Sequence, residues 1–105
     1  VLGNDINSDQ LIPSKFTIYQ NYPNPFNPIT SLRYDLPEDG LVNVTIYDMM
    51  GRIVKTVINS SQRAGYNSVQ WNATNDRAQS VSAGLYIYRI QVGAFSETKK
   101  MVLVK

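Results

Sequence analysis

From Phe16 onward, apolar and polar residues alternate in short runs, and Gly, Pro or Asn interrupts the runs about every ten residues. A period of two sends successive side chains to opposite faces of a strand, so each run reads as a strand with one buried face. Phe16 and Ile18 alternate with Thr17 and Tyr19, and Leu32, Tyr34 and Leu36 alternate with Arg33 and Asp35. Val42, Val44 and Ile46 alternate with Asn43 and Thr45. Between the last two runs, Pro37-Glu38-Asp39-Gly40 has Pro and Gly where a β-turn wants them, which predicts an antiparallel hairpin.

The remaining runs extend the pattern. Ile53–Ile58 has apolar pairs four apart that also suit a helix, but its β-branched density and shortness favour a strand. Asn59-Ser60-Ser61-Gln62 reads as a loop, Tyr66–Trp71 as a strand and Asn72–Ser82 as a long polar loop. Leu85–Val92 is apolar on both faces except at Arg89 and Gln91, as expected of a central strand buried on both sides for part of its length. Gly93-Ala94 supplies a two-residue turn into a last strand, Phe95–Val104. Seven predicted strands and no predicted helix point to an all-β, seven-stranded antiparallel sandwich of the immunoglobulin-like type.

Before Phe16 the pattern is absent. Residues 1–14 are polar and close on Pro13, so they read as a linker from a preceding domain, with one domain over residues 15–105. Val1–Asn4 has neither the basic nor the apolar region of a signal peptide, so an export signal is expected on a part of the protein outside this sequence. No apolar run nears the ~20 residues of a membrane-spanning helix, and membrane insertion is not expected. The net charge is +2 with scattered cations, which argues against a nucleic-acid footprint.

Catalysis finds little to work with. The chain has no cysteine and no histidine, which removes thiol chemistry, the usual zinc ligands and the usual general base. Asp35, Glu38 and Asp39 cluster near the predicted hairpin, but a carboxylate pair needs a cleft that a small sandwich seldom supplies. Asn72-Ala73-Thr74-Asn75-Asp76 is oxygen-rich, yet it offers calcium a single carboxylate and reads as a hydrogen-bonded turn. Asn43-Val44-Thr45, Asn59-Ser60-Ser61 and Asn72-Ala73-Thr74 match the glycosylation triplet, as expected by chance in a chain rich in these residues. Neither enzyme activity, nor a cofactor, nor a metal is expected.

Four motifs remain. Tyr22-Pro23-Asn24-Pro25-Phe26-Asn27-Pro28 is a stiff loop flanked by aromatics, in which Tyr22 and Phe26 could cap an open end of the sandwich. Tyr47-Asp48-Met49-Met50-Gly51-Arg52 is a tight connection with Gly51 expected at positive φ. Gly84-Leu85-Tyr86-Ile87-Tyr88 begins the penultimate strand, where Tyr86 reads as a tyrosine corner and Trp71 as a core plug. Lys99-Lys100-Met101-Val102-Leu103-Val104-Lys105 is a basic-then-apolar final strand; with an unpaired side, it would be a template for strand addition by a partner.

In this order the motifs closely resemble the C-terminal sorting domains of proteins exported by the bacterial type IX secretion system, over roughly residues 15–105. The resemblance implies an immunoglobulin-like sandwich without enzymatic activity that directs a passenger across the outer membrane. It carries the family motifs onto Tyr22–Pro28, onto Tyr47, Asp48, Gly51 and Arg52, and onto Gly84, Tyr86 and Tyr88. It makes Lys99–Lys105 the sorting signal. Implied partners are outer-membrane components of the secretion system, a cell-surface sorting peptidase and a covalently linked N-terminal passenger, with the domain itself a monomer. The implied destination is the cell surface or the medium, by way of the periplasm. Where the family's long loop usually has glycine this chain has Ala73 and Ala78; Ala tolerates positive φ poorly, so the loop is expected to take another path. Two alternatives stand beside this reading: a carbohydrate-binding module using Tyr19, Tyr47, Tyr66 and Tyr88 as a row, and a passive spacer. Proteolytic removal is expected in the segment Leu2–Ser14.

Overall fold

The computed structural model describes residues 12–105, so most of the expected linker and cleavage segment lies outside the described residues. Seven strands follow in chain order: β1 (Thr17–Ile18), β2 (Thr30–Leu36), β3 (Gly40–Asp48), β4 (Ile53–Gln62), β5 (Gly65–Trp71), β6 (Gly84–Val92) and β7 (Phe95–Leu103). They form two sheets of order β1-β2-β5 and β4-β3-β6-β7, with every pairing between these strands antiparallel. No helix occurs among the described residues.

The alternation places the core. Leu32, Tyr34 and Leu36 of β2, Val42, Val44 and Ile46 of β3, Tyr88 and Ile90 of β6, and Met101 and Leu103 of β7 join one buried cluster between the sheets. Each such side chain contributes about 1.5–3 kcal/mol on leaving water, which holds the fold without a disulfide.

β2 and β3 are not a hairpin. Pro37–Asp39 carries the chain from one sheet to the other, and the ladder bonds of each strand go elsewhere: β2 pairs with β5 from Thr30↔Trp71 to Leu36↔Gly65, and β3 pairs with β4 from Gly40↔Gln62. The β4–β5 connection crosses beside it, and the two corners are tied by Ala64 N–H donating to Asp39 Oδ1 at 2.8 Å. A Cβ on Gly40 would stand 2.9 Å from Val92 Cγ1, so the crossing passes too close to β6 for a side chain. A turn sequence specifies a reversal but not which strand receives the bonds, and here two partners with longer registers took them.

Two further expectations are revised. Asn59–Gln62 is not a loop but the continuation of β4, because Asn43, Val42, Leu41 and Gly40 of β3 pair with it residue by residue. β6 is central as expected, between β3 and β7, yet its outer face is uncovered: Leu85 is 45% exposed and Ile87 half-buried. The Gly93-Ala94 turn forms as read, closing on the Val92↔Phe95 pair.

Candidate functional site

β7 is an outermost strand of its sheet. Antiparallel ladders alternate inward and outward backbone groups, and with Val92↔Phe95 closing the hairpin, Ser96, Thr98, Lys100 and Val102 turn their N–H and C=O groups away from β6. The proline loop takes the far end of this edge. Phe26 N–H donates to Val102 O at 2.9 Å, and Val104 N–H donates to Phe26 O at 3.0 Å, a short parallel bridge between Phe26 and Leu103. Asn24 Oδ1 accepts from Val102 N–H at 2.9 Å, and Gln20 Nε2 donates to Lys100 O at 2.7 Å.

The loop is itself fastened at its base. Tyr22 and Ser31 exchange both backbone bonds, at 3.1 and 2.9 Å. The buried Asn21 side chain donates to Thr30 Oγ1 and to Pro23 O, and Thr30 Oγ1 donates to Pro23 O at 2.9 Å. The X-Pro bonds at Pro23, Pro25 and Pro28 are cis. The loop thus carries ladder-type bonds on both sides, to Ser31 of β2 and to Val102 and Val104 around the end of β7. Its anchor is Phe26, 1% exposed, while Tyr22 stands 73% exposed and caps nothing.

Behind the anchor lies an aromatic column. The Phe26 ring sits 5.8 Å from Trp71, and Trp71 meets Tyr86 edge-on at 5.4 Å. Trp71 Nε1–H donates to Thr74 O at 2.8 Å, so the tryptophan plugs the core under the following loop. Tyr86 O–H donates to Ser82 O at 2.6 Å, the backbone bond of a tyrosine corner. Tyr88 is fully buried, donates to Tyr19 O at 2.6 Å, and has its phenol pushed up to about 12 by burial.

The turn motif closes the same end of the sheet, with Asp48 opposite Tyr86. Asp48 Oδ1 accepts from the N–H groups of Met50 and Arg52, and Oδ2 accepts from Arg52 Nε at 2.8 Å. These bonds, the Arg52 N–H foremost, hold its carboxyl below the usual carboxylate range. Gly51 has φ +82° as expected. The proline, turn, late-strand and terminal motifs thus meet at one end of the domain.

Within the terminal segment the residues differ. Met101 and Leu103 are buried in the core, Lys100 and Val104 are exposed, and Lys99 pairs with Glu97 at 3.3 Å. Lys105 Nζ donates to Val81 O at 2.6 Å. The expected open edge exists only in part: it runs over Ser96 and Thr98, while the clasp occupies the rest. Gln20 was not singled out from the sequence, and the role of Asn24 as an acceptor could not be, because its partner lies 78 positions away.

Other candidate sites do not assemble. Tyr19 and Tyr66 lie with the smaller sheet, Tyr47 on the larger one and Tyr88 in the core, so no aromatic row forms. Asp35 is buried beneath the Tyr19 hydroxyl, which donates to it, whereas Asp39 serves the Ala64 N–H, so the three carboxylates share no site. In the long loop, Asn75 Oδ1 accepts from the N–H groups of Arg77 and Gln79, and Asp76 Oδ1 accepts from Thr56 N–H. No cluster of metal-ligating type occurs among the described residues. Ala73 and Ala78 do adopt positive φ, 62° and 60°, correcting the expected detour: Val81 N–H to Ala73 O and Ala78 N–H to Asn75 O hold the loop on this path.

Two antiparallel sheets with a tyrosine corner at the start of the penultimate strand define an immunoglobulin-like sandwich. Residues 20–105 match the family model of the secretion system C-terminal sorting domain, and the chain belongs to that family. Such a domain is a type IX secretion sorting signal, not a catalyst, and it marks its protein for the cell surface or the medium. Among solved structures the chain is similar to latent dimeric PorU from Porphyromonas gingivalis, at 23% identity and TM-score 0.69 over 88% of this chain and 10% of PorU. It is similar to PorZ of the same bacterium, an essential surface component of the type IX secretion system, at 20% identity and TM-score 0.58 over 84% of this chain and 11% of PorZ. FlgD from P. aeruginosa aligns at 19% identity and TM-score 0.58 over 88% of this chain and 71% of FlgD. These likenesses show the fold, and the chain spans about a tenth of PorU and PorZ. No curated protein sequence matches it.

Proposed function

We propose that the export machinery reads the clasped end of this domain as one surface, with the terminal segment Lys99–Lys105 as the signal and the proline loop Tyr22–Pro28 as its support. The observation that carries this is the bonding of Asn24 and Phe26 to Val102 and Val104, which gives the last residues a fixed edge instead of a frayed one. The motif residues Tyr47, Asp48, Gly51, Arg52, Gly84, Tyr86 and Tyr88 build the platform beneath it. The domain arrives through the periplasm as a monomer joined to its passenger. Its partners are outer-membrane components of the secretion system, and a cell-surface peptidase removes it by cutting within the segment Leu2–Ser14.

A secretion assay tests this. Residues 1–105 are placed behind a signal peptide and a fluorescent reporter in a type IX-proficient bacterium and in its secretion-null mutant. Export in the first strain alone, lost when Lys99 and Lys100 are replaced or Met101–Lys105 deleted, is the expected result. Normal export of both variants refutes the terminal signal.

A further inference from the structure

The outer face of the four-stranded sheet is divided. Cross-strand partners share a face, so the register assigns its rows. Near the Gly93 turn the rows are polar apart from one isolated apolar residue, Leu41: Leu41 with Ser61, then Asn59, Asn43, Gln91 and Ser96, then Thr56, Thr45, Arg89 and Thr98. Toward the clasped end they become apolar: Ile53, Tyr47 and Ile87 with Lys100 at the margin, then Leu85 and Val102, with the turn residue Met49 directly following Asp48 at the end of β3. Ile53 is 62% exposed, Met49 52% and Leu85 45%. A single exposed Leu is unremarkable, but a contiguous strip from four strands and a turn is the kind of surface that marks an interaction site.

Charge on this face has one sign. Its strand positions carry Arg89 and Lys100 and no carboxylate. Among the described residues the ion pairs are Arg52–Asp48 and Lys99–Glu97, so neither Arg89 nor Lys100 is neutralised. The Arg89 guanidinium instead lies 5.4 Å over the Tyr47 ring, and its buried Nε has no hydrogen-bond partner. The cation is thus held beside the apolar strip with donors to spare.

We propose that this strip docks a protein whose contact surface is apolar at its centre and carries carboxylates at its edge. Tyr, Met and Arg are the residues enriched in such interfaces. A second copy of this chain is disfavoured, because self-pairing would set cations against cations. A membrane is disfavoured too, since two cations on the face fall short of the ~4–8 of lipid-binding clusters. The partner is met during export, so the proposal rests on the sorting role.

The test uses the exported reporter fusion with a photo-reactive residue at Leu85 or, on the polar half of the same face, at Asn59. The expected result is one identified protein cross-linked at least tenfold more from position 85 than from 59. Arg89→Glu should abolish the adduct, and replacing a carboxylate of the cross-linked partner surface by Lys should restore it. If Arg89→Glu unfolds the domain, judged by its thermal midpoint, Ile53→Ser takes its place, with the photo-reactive residue kept at position 85; it should weaken the adduct from 85 and leave that from 59 unchanged. Equal labelling from both positions, an adduct of two copies of this chain, or sedimentation with phosphatidylglycerol–phosphatidylcholine vesicles that Met49→Ser weakens would each overturn the proposal. Failure of the unmodified fusion to be exported counts against the sorting role; export with equal labelling counts against this surface alone.

Discussion

The terminal strand is built in two halves that solve the same problem differently. From Ser96 to Lys99 the outward edge is free of bonds among the described residues, and a Glu97–Lys99 pair stands on its inward side. Inward-pointing charges and lysines are a common guard for an exposed edge. From Lys100 to Val104 the edge is instead occupied by a loop from the other end of the sequence. Charge repels a wrong partner but orders nothing, whereas a clasp both covers the edge and fixes the residues that carry it. All of the proposed signal except Lys99 lies in the half that is held.

The largest way to break this contrast is to remove the anchor. Phe26→Ala leaves a hole beside Trp71 and should cost about 3–5 kcal/mol in denaturant unfolding, a large share of the ~5–15 kcal/mol a domain has. Proline substitution compares the halves directly. Thr98→Pro deletes an outward N–H that has no partner, while Val102→Pro deletes the one bonded to Asn24. Both carry the same misfit in φ, so Val102→Pro should be worse by about 1–3 kcal/mol, and equal losses would deny the clasp its contribution.

Smaller effects follow from titration. Tyr88 lies opposite Lys99, at the boundary between the halves, and its phenol is held neutral up to about 12. An unfolded chain ionises near 10, so stability should be whole below about pH 10 and fall as pH rises through the folded value. Phenolate absorbance and Trp71 fluorescence should change together there, and Tyr88→Phe should separate them. Asp48 runs the other way: with its pKa lowered in the fold, its contribution is present above about pH 4 and lost as pH falls through the folded value. Acid should speed amide exchange at Met50 and Arg52, relative to the usual pH trend, before it touches Val102. Simultaneous loss would mean that turn and clasp are one cooperative unit.

The legible part of this molecule was local. Alternation gave seven strands, Gly93-Ala94 its hairpin, Gly51 its positive φ and Tyr86 its corner, because each depends on neighbours within a few positions. Pairing between sheets was not legible at Pro37–Gly40, where the turn residues suit a hairpin and a crossover equally. Asn59–Gln62 hid as a strand because an edge strand with a wet face needs no apolar pattern. Ala73 and Ala78 adopt a conformation their side chains disfavour, which only the loop's own bonds explain. Of the candidate site, the motifs were visible as separate runs. Their meeting was not, since Asn24 and Val102 are joined by topology and by nothing in their spacing.

The most direct test of the account is native-state amide exchange on residues 1–105. The clasp predicts that Val102 and Val104 N–H groups exchange as slowly as those of central β6, while Ser96 and Thr98, with identical outward geometry, exchange orders of magnitude faster. Equally fast exchange at all four would mean that the proline loop does not hold the terminal strand, and the account would fall.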